Sequence, residues 1–144
     1  MQGSNKGKIA LIGNMNNNMF AICRHLRDAG FDAHLFLLEE FDHFLPSCDT
    51  FSDDYKRYTH HTTWKKFGYF DAELIAVLKK DLEGYEHFIG CDRAPVYLGL
   101  IGLNMDIFVP YGGDVLYFTS TKSDLSFSKK LYRLLSGKHP ADPA

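Results

Sequence analysis

Residues 8–38 read KIALIGNMNNNMFAICRHLRDAGFDAHLFLL, and their periodicity decides the fold. Lys8 to Gly13 is a short continuous apolar run closed by a glycine, the pattern of a strand buried on both faces. From Asn16 or Asn17 the period becomes helical. Met19, Cys23, Leu26 and Gly30 recur on one face, asparagines precede them as cap candidates, and Gly30 is placed to end the helix. A second apolar run, Ala33 to Leu38, follows at once. Strand, helix and strand within about 30 residues make a βαβ unit, which commits the chain to a parallel sheet with a right-handed crossover.

Downstream, residues 41–70 break this rhythm. They hold Pro46, many polar residues and a run of aromatics from Phe41 to Phe70, without a clear period of 2 or 3.6. A connection of about 30 irregular residues is uncommon and points to a functional loop or an excursion of short helices. Regular structure then resumes. Asp71 is a cap for a helix bearing Leu74, Ile75, Leu78 and Leu82 on one face, and Glu86 to Cys91 reads as the next strand. Asp92 and Pro95 open another helix through Leu98, Ile101 and Leu103, and Asp106 to Pro110 is a further strand. Val115 to Phe118 is ambiguous, and a last helix from about Asp124 carries Phe127, Leu131, Leu134 and Leu135. The sum is an α/β layered domain with about four parallel strands. It spans residues 1–136 and is followed by an unstructured tail, 137–144, with Pro140 and Pro143.

Composition narrows the function. With 144 residues, 45% of them hydrophobic, 24% charged and a net charge of -2, the chain is one soluble globular domain. No global positive field exists to attract nucleic acid. Three cysteines, Cys23, Cys48 and Cys91, stand far apart with no CxxC pair, as expected of reduced thiols in a cytoplasmic protein. The N-terminus lacks the pattern of a signal peptide, and no segment has the run of about 18 apolar residues that a membrane span needs. The last helix carries Lys129, Lys130 and Arg133, flanked by Lys122 and Lys138, so membrane contact is at most peripheral, at an anionic surface.

In open parallel sheets ligands sit beyond the carboxyl ends of the strands, which directs attention to three loops. The first is Gly13-Asn14-Met15-Asn16-Asn17-Asn18, the second Cys91-Asp92-Arg93-Ala94-Pro95, the third Pro110-Tyr111-Gly112-Gly113-Asp114. The first has one glycine instead of the three of GxGxxG, and no Walker lysine is present, which disfavours a dinucleotide or P-loop site. Asparagine amides offer donors and acceptors that suit sugar hydroxyls; equally, they cap and turn into the helix. Gly112 and Gly113 permit close backbone approach, and Asp114 either accepts from a ligand hydroxyl or caps the next segment. Asp92 and Arg93 suit an anionic ligand, but an aspartate just before a helix is first of all an N-cap. The aromatics of residues 41–70 either line a groove or, more often, pack. His43, Cys48, His60, His61 and Cys91 show no metal-binding spacing, so no metal is expected, and nothing singles out Cys91 as a nucleophile.

Three blocks carry a resemblance: KIALIGNMNNNMFAICRHLRDAGFDAHLFLLEE, then DHFLPSCDTF, then YEHFIGCDRAPVYLGLIGLNMDIFVPYGGDV. In this order and spacing, over about residues 7–118, the chain resembles the N-terminal half of bacterial GT-B fold glycosyltransferases of the retaining, family 4-like group, which build surface polysaccharides. The resemblance implies a Rossmann-like, three-layer domain that holds the acceptor, a glycan or a lipid-linked sugar, while a second domain holds the nucleotide sugar. That second domain's Glu-x7-Glu pair has no counterpart here, so no cofactor is expected in this chain, which should be inactive unless a donor domain is supplied; as a first domain shorter than usual it is expected to be a truncated gene product, a fragment or one part of a split enzyme, and to self-associate. The glycine loop of such enzymes corresponds to Gly13, Asn14, Met15 and Asn16, and their His-Gly-x-Asp loop to Tyr111, Gly112, Gly113 and Asp114, with tyrosine in place of histidine. The implied acceptor shelf is Asn14, Asn16, Gly112, Gly113 and Asp114, with Gly13, Tyr111, Asp92 and Arg93 beside it. The competing reading is a stand-alone ligand- or protein-binding module without catalysis, distinguished by whether a donor domain is encoded nearby.

Overall fold

The computed structural model describes residues 7–38, 45–50 and 52–111. Within them five strands form one all-parallel sheet: β1 (Ile9–Ile12), β2 (Ala33–Leu37), β3 (Thr59–His61), β4 (His87–Gly90) and β5 (Ile107–Phe108), in the order β3-β2-β1-β4-β5. Helices α1 (Asn18–Asp28), α2 (Ala72–Asp81) and α3 (Ala94–Leu100) connect them, together with short 3-10 turns at Met15–Asn17, Pro46–Cys48, Asp53–Arg57 and Trp64–Lys66.

Register explains the layers. Ala10 and Ile12 align with His34 and Phe36, and His60 with Phe36, so these side chains share one face; Ile9 and Leu11 share the other with Ala33 and Leu35. The second face is covered by α1 through Met19, Phe20 and Cys23, the first by α2 and α3 through Leu74, Leu78, Tyr97 and Leu98. This split follows from chain direction. From β1 the chain steps one way to β2 and β3, then returns past β1 to β4 and β5, and a right-handed connection that reverses direction must cross on the opposite face. The result is a three-layer, Rossmann-like α/β domain with two apolar cores, in which each fully buried leucine or phenylalanine contributes about 1.5–3 kcal/mol.

Local chemistry accounts for the boundaries. Helix α1 stops at Gly30 as the sequence suggests, with Gly30 N–H donating to Arg27 O and Phe31 N–H to Leu26 O. Gly90, in register with Ile12, has no room for a side chain: a Cβ there would lie 2.5 Å from Ala94 Cβ and 3.3 Å from Ile12 O. That clearance lets α3 rest directly on the sheet. Asp106, just before β5, accepts the Phe88 N–H at 2.8 Å and ties β5 to β4.

Several expectations need correction. The sheet has one strand more than the periodicity announces, because β3 lies inside the stretch read as irregular. Three residues, Thr-His-His, show no apolar alternation, and the half-buried His60 stacks on the rings of His34 and Phe36 (centroids 5.2 and 4.9 Å) instead. The rest of that stretch is an excursion of short 3-10 turns, and most of its described aromatics pack: Trp64 is fully buried against Phe36 and Tyr97, and Tyr55 and Tyr58 lie against Phe20. Asp71 precedes α2 as expected, but its carboxylate accepts the Gly68 N–H at 2.7 Å instead of capping the helix. Helix α3 ends at Leu100, before Ile101 and Leu103, which pack on the core from the following turn and loop. No described helix is long and apolar enough to cross a membrane. The ambiguous segment Val115 to Phe118, the helix from Asp124 and the tail lie outside the described residues.

Candidate functional site

Neighbouring strands β1 and β4 send their chains in opposite directions, β1 through α1 to β2 and β4 through α3 to β5. Their loops part over the sheet's carboxyl edge, at the switch point whose crevice binds ligands in open parallel sheets. Residues 13–17 form one wall and residues 91–93 the other.

The two walls touch. Gly13 has φ +87°, and a Cβ on it would come within 2.6 Å of Cys91 Sγ, so a side chain here is excluded both by backbone conformation and by space. Cys91 N–H donates to Ile12 O at 3.0 Å and locks the second loop to the first strand. Among the described residues, three that are not glycine have left-handed backbones, Asn16 (φ 51°), Asn17 (φ 58°) and Asp92 (φ 52°), and all three stand in these two loops. Asn and Asp tolerate that region best, yet each still costs about 1–2 kcal/mol relative to an unstrained turn. The backbone is bent here at a cost that packing elsewhere must offset.

The asparagines divide their work. Asn14 is 2% exposed; its Oδ1 accepts the Phe20 N–H at 3.0 Å, inside the first turn of α1, and its Nδ2 donates to Asn17 Oδ1 at 2.7 Å. Asn17 Nδ2 in turn donates to Leu45 O at 3.1 Å. Asn17 stands at the N-cap position without capping, so the cap is supplied from three residues upstream. Asn14 thus holds the loop in shape, while Asn16 is exposed at its tip.

On the other wall, Asp92 is not the N-cap of α3. Its left-handed backbone turns the chain, Arg93 takes the N-cap position with no side-chain cap, and Pro95 occupies the first turn as expected. The Arg93 guanidinium lies near enough to the phenols of Tyr69 and Tyr97 to act on both. Burial pushes both phenols up, Tyr97 to about 12, against the opposing pull of Arg93. Lys65, from the 3-10 turn Trp64–Lys66, is near enough to Asp92 and Arg93 to feel both: burial lowers its ammonium pKa, Asp92 raises it, and Arg93 lowers it. The irregular excursion therefore delivers a cation and a phenol, Lys65 and Tyr69, to the flank of the crevice. Sequence reading counted Tyr69 only among the aromatics that line a groove or pack and missed Lys65, because nothing in their local pattern says where that excursion returns.

Tyr111 follows β5 and packs with Val109 against the α1-side core. Gly112, Gly113 and Asp114 lie outside the described residues, as does His43. Among the described residues no three His, Cys, Asp or Glu side chains are grouped to hold a metal. Cys91 is 1% exposed, with its Sγ 3.7 Å from Ile12 O. The arrangement offers a strained polar shelf, Asn16 and Asp92, beside two cations, Arg93 and Lys65. Hydroxyls suit the first and an anionic group suits the second.

Comparison of the chain with protein-family models, with curated proteins and with solved structures returned no match.

Proposed function

We propose that the chain is the acceptor-side domain of a glycosyltransferase, which positions a glycan or lipid-linked acceptor in the crevice beyond β1 and β4. The sugar comes from a nucleotide-sugar donor held by a separate domain. Transfer forms a glycosidic bond to an acceptor hydroxyl, breaks the bond between sugar and nucleotide phosphate, and releases the hydroxyl proton. The present residues position; they hold no donor. The observation that carries the reading is the convergence of every described left-handed Asn and Asp, together with Arg93, at the point where the strand order reverses. It agrees with the resemblance of residues 7–118 to such domains, which assigns Gly13, Asn14 and Asn16 to the same edge.

In this reading Asn16 and Asp92 meet acceptor hydroxyls, and Arg93 with Lys65 meets an anionic part of the acceptor, such as a phosphate linking sugar to lipid. An array of free and polyprenyl-phosphate-linked oligosaccharides tests it, applied to the wild-type chain and to Arg93→Ala. Binding of a linked oligosaccharide that falls at least tenfold in Arg93→Ala, with an unchanged melting temperature, supports the proposal; tenfold is about 1.4 kcal/mol, at the lower edge of what a charged hydrogen bond contributes. Binding that ignores Arg93, or absence of binding across the array, contradicts it.

A further inference from the structure

Away from the crevice, on the α2 face where edge strand β3 ends the sheet, lies a cavity of about 410 Å³. His60, His61, Thr62, Asp81 and Tyr85 line it over the Phe36 ring. Its volume falls within the roughly 300–1,000 Å³ of small-ligand sites.

A hydrogen-bond chain fixes what this cavity offers. His34 Nε2 stands 3.0 Å from Asp32 Oδ1, and a carboxylate only accepts, so that nitrogen carries the proton. In the neutral ring His34 Nδ1 is then a bare lone pair. It lies 2.9 Å from His60 Nε2, which must donate to it. Neutral His60 is left with Nδ1 unprotonated, an acceptor on a cavity-lining ring. Asp81 has one oxygen committed, since Trp64 Nε1–H donates to Oδ2 at 2.8 Å, and its other oxygen remains to accept. Thr62 Oγ1 already donates to Leu37 O at 2.9 Å, so toward the cavity it too accepts. Tyr85 supplies a donor, its phenolic O–H.

Such a lining suits neither an anion nor a metal. The only formal charge among the cavity residues is the Asp81 carboxylate, while the nearby Lys8 ammonium lies over the Tyr85 ring, 4.3 Å from its centroid. Several acceptors, a phenolic donor and aromatic walls match a ligand rich in hydroxyl groups with apolar ring faces. We infer that this cavity binds a neutral mono- or disaccharide, with His60 Nδ1 and Asp81 Oδ1 accepting from its hydroxyls and the Tyr85 hydroxyl donating. Asp32 and His34 are positioning residues that set the tautomer of His60. The assignment stands independently of the crevice.

Saturation-transfer NMR with N-acetylglucosamine, methyl glucoside and lactose tests it, with fluorescence of the single tryptophan, Trp64, as a second readout through its bond to Asp81. The variants are His60→Phe, which keeps a ring to stack on Phe36, and Tyr85→Phe, which keeps the edge-on contacts with His34 and Phe36 and removes only the hydroxyl. The expected result is saturation transfer to at least one of the three sugars, weakened at least tenfold in each variant and unchanged in Arg93→Ala. If His60→Phe does not fold, Tyr85→Phe decides. No transfer from the wild-type chain, transfer that survives the folded variants, or transfer abolished by Arg93→Ala overturns the inference.

Discussion

Asn14 Oδ1 accepts the backbone N–H of Phe20, six residues on, at 3.0 Å, and so caps α1 from within the loop that forms the crevice wall. One side chain therefore serves both helix and site. Asn14→Ala should remove that cap and leave Asn17 Oδ1 without its donor, at a cost of about 1–2 kcal/mol in urea unfolding. Asn14→Asp should retain the Phe20 bond but set two oxygens against each other, since Asn17 Nδ2 is held by Leu45 O. It should fall between wild type and alanine. Equal stability of all three would show that the cap carries no weight.

Gly90→Ala should destabilise by overpacking, about 1–3 kcal/mol, because the new methyl meets Ala94 Cβ at 2.5 Å. Ala94→Gly removes that atom at the expense of a helical glycine, about 1 kcal/mol. The double variant should be more stable than the sum of the two single losses predicts, and a thermal-melt double-mutant cycle reads the coupling. Strict additivity would mean that α3 does not press on β4 at this point.

Acid should loosen the β2–β3 edge. Burial is the largest cause holding the His34 and His60 imidazoles below their ordinary range, opposed by Asp32 for His34 and by Asp81 for His60, and reinforced for both by Lys8, with Arg27 also acting on His34. Tyr85 meets the His34 and Phe36 rings edge-on, as a neutral phenol. A lowered folded-state pKa means that the native chain binds fewer protons than the unfolded one, so the stability it contributes is present above about pH 6.5 and is lost as pH falls below it. Urea midpoints at pH 8, 6.5 and 5 should decline along this series, and the decline should be shallower in the double variant His34→Phe/His60→Phe. An identical slope in that variant would remove the histidines from the explanation.

The thiols should separate cleanly. Cys23 and Cys91 are buried, Cys48 is exposed, and burial raises the Cys23 thiol to about 12. A chromogenic disulfide should titrate one equivalent quickly in the native chain and three in denaturant. Three fast equivalents without denaturant would contradict the burial of the α1 face.

The parts of the fold written in plain periodicity are those buried on both sides. Ile9–Ile12 and Ala33–Leu37 read as strands because every position is apolar or nearly so, and Gly30 marks the helix end between them. β3 escapes notice because an edge strand of three residues needs no pattern, and because its inward His60 is legible as core only once β3 is aligned with β2. The same holds for the cavity: His34 and His60 are 26 residues apart and meet through that register alone. Of the crevice, the loops themselves were legible from the general geometry of parallel sheets. The division of labour within them was not, since nothing in the run Asn14 to Asn18 distinguishes the buried capping amide from the exposed one at Asn16.

The most direct test of the acceptor-domain account is an amide chemical-shift titration of the isotope-labelled chain with a short oligosaccharide linked through phosphate to a truncated polyprenyl chain. The account predicts saturable shifts at Gly13, Asn16, Asp92 and Arg93, on the two loops that part over β1 and β4. Shifts confined to other surfaces, or none at saturating ligand, would contradict it.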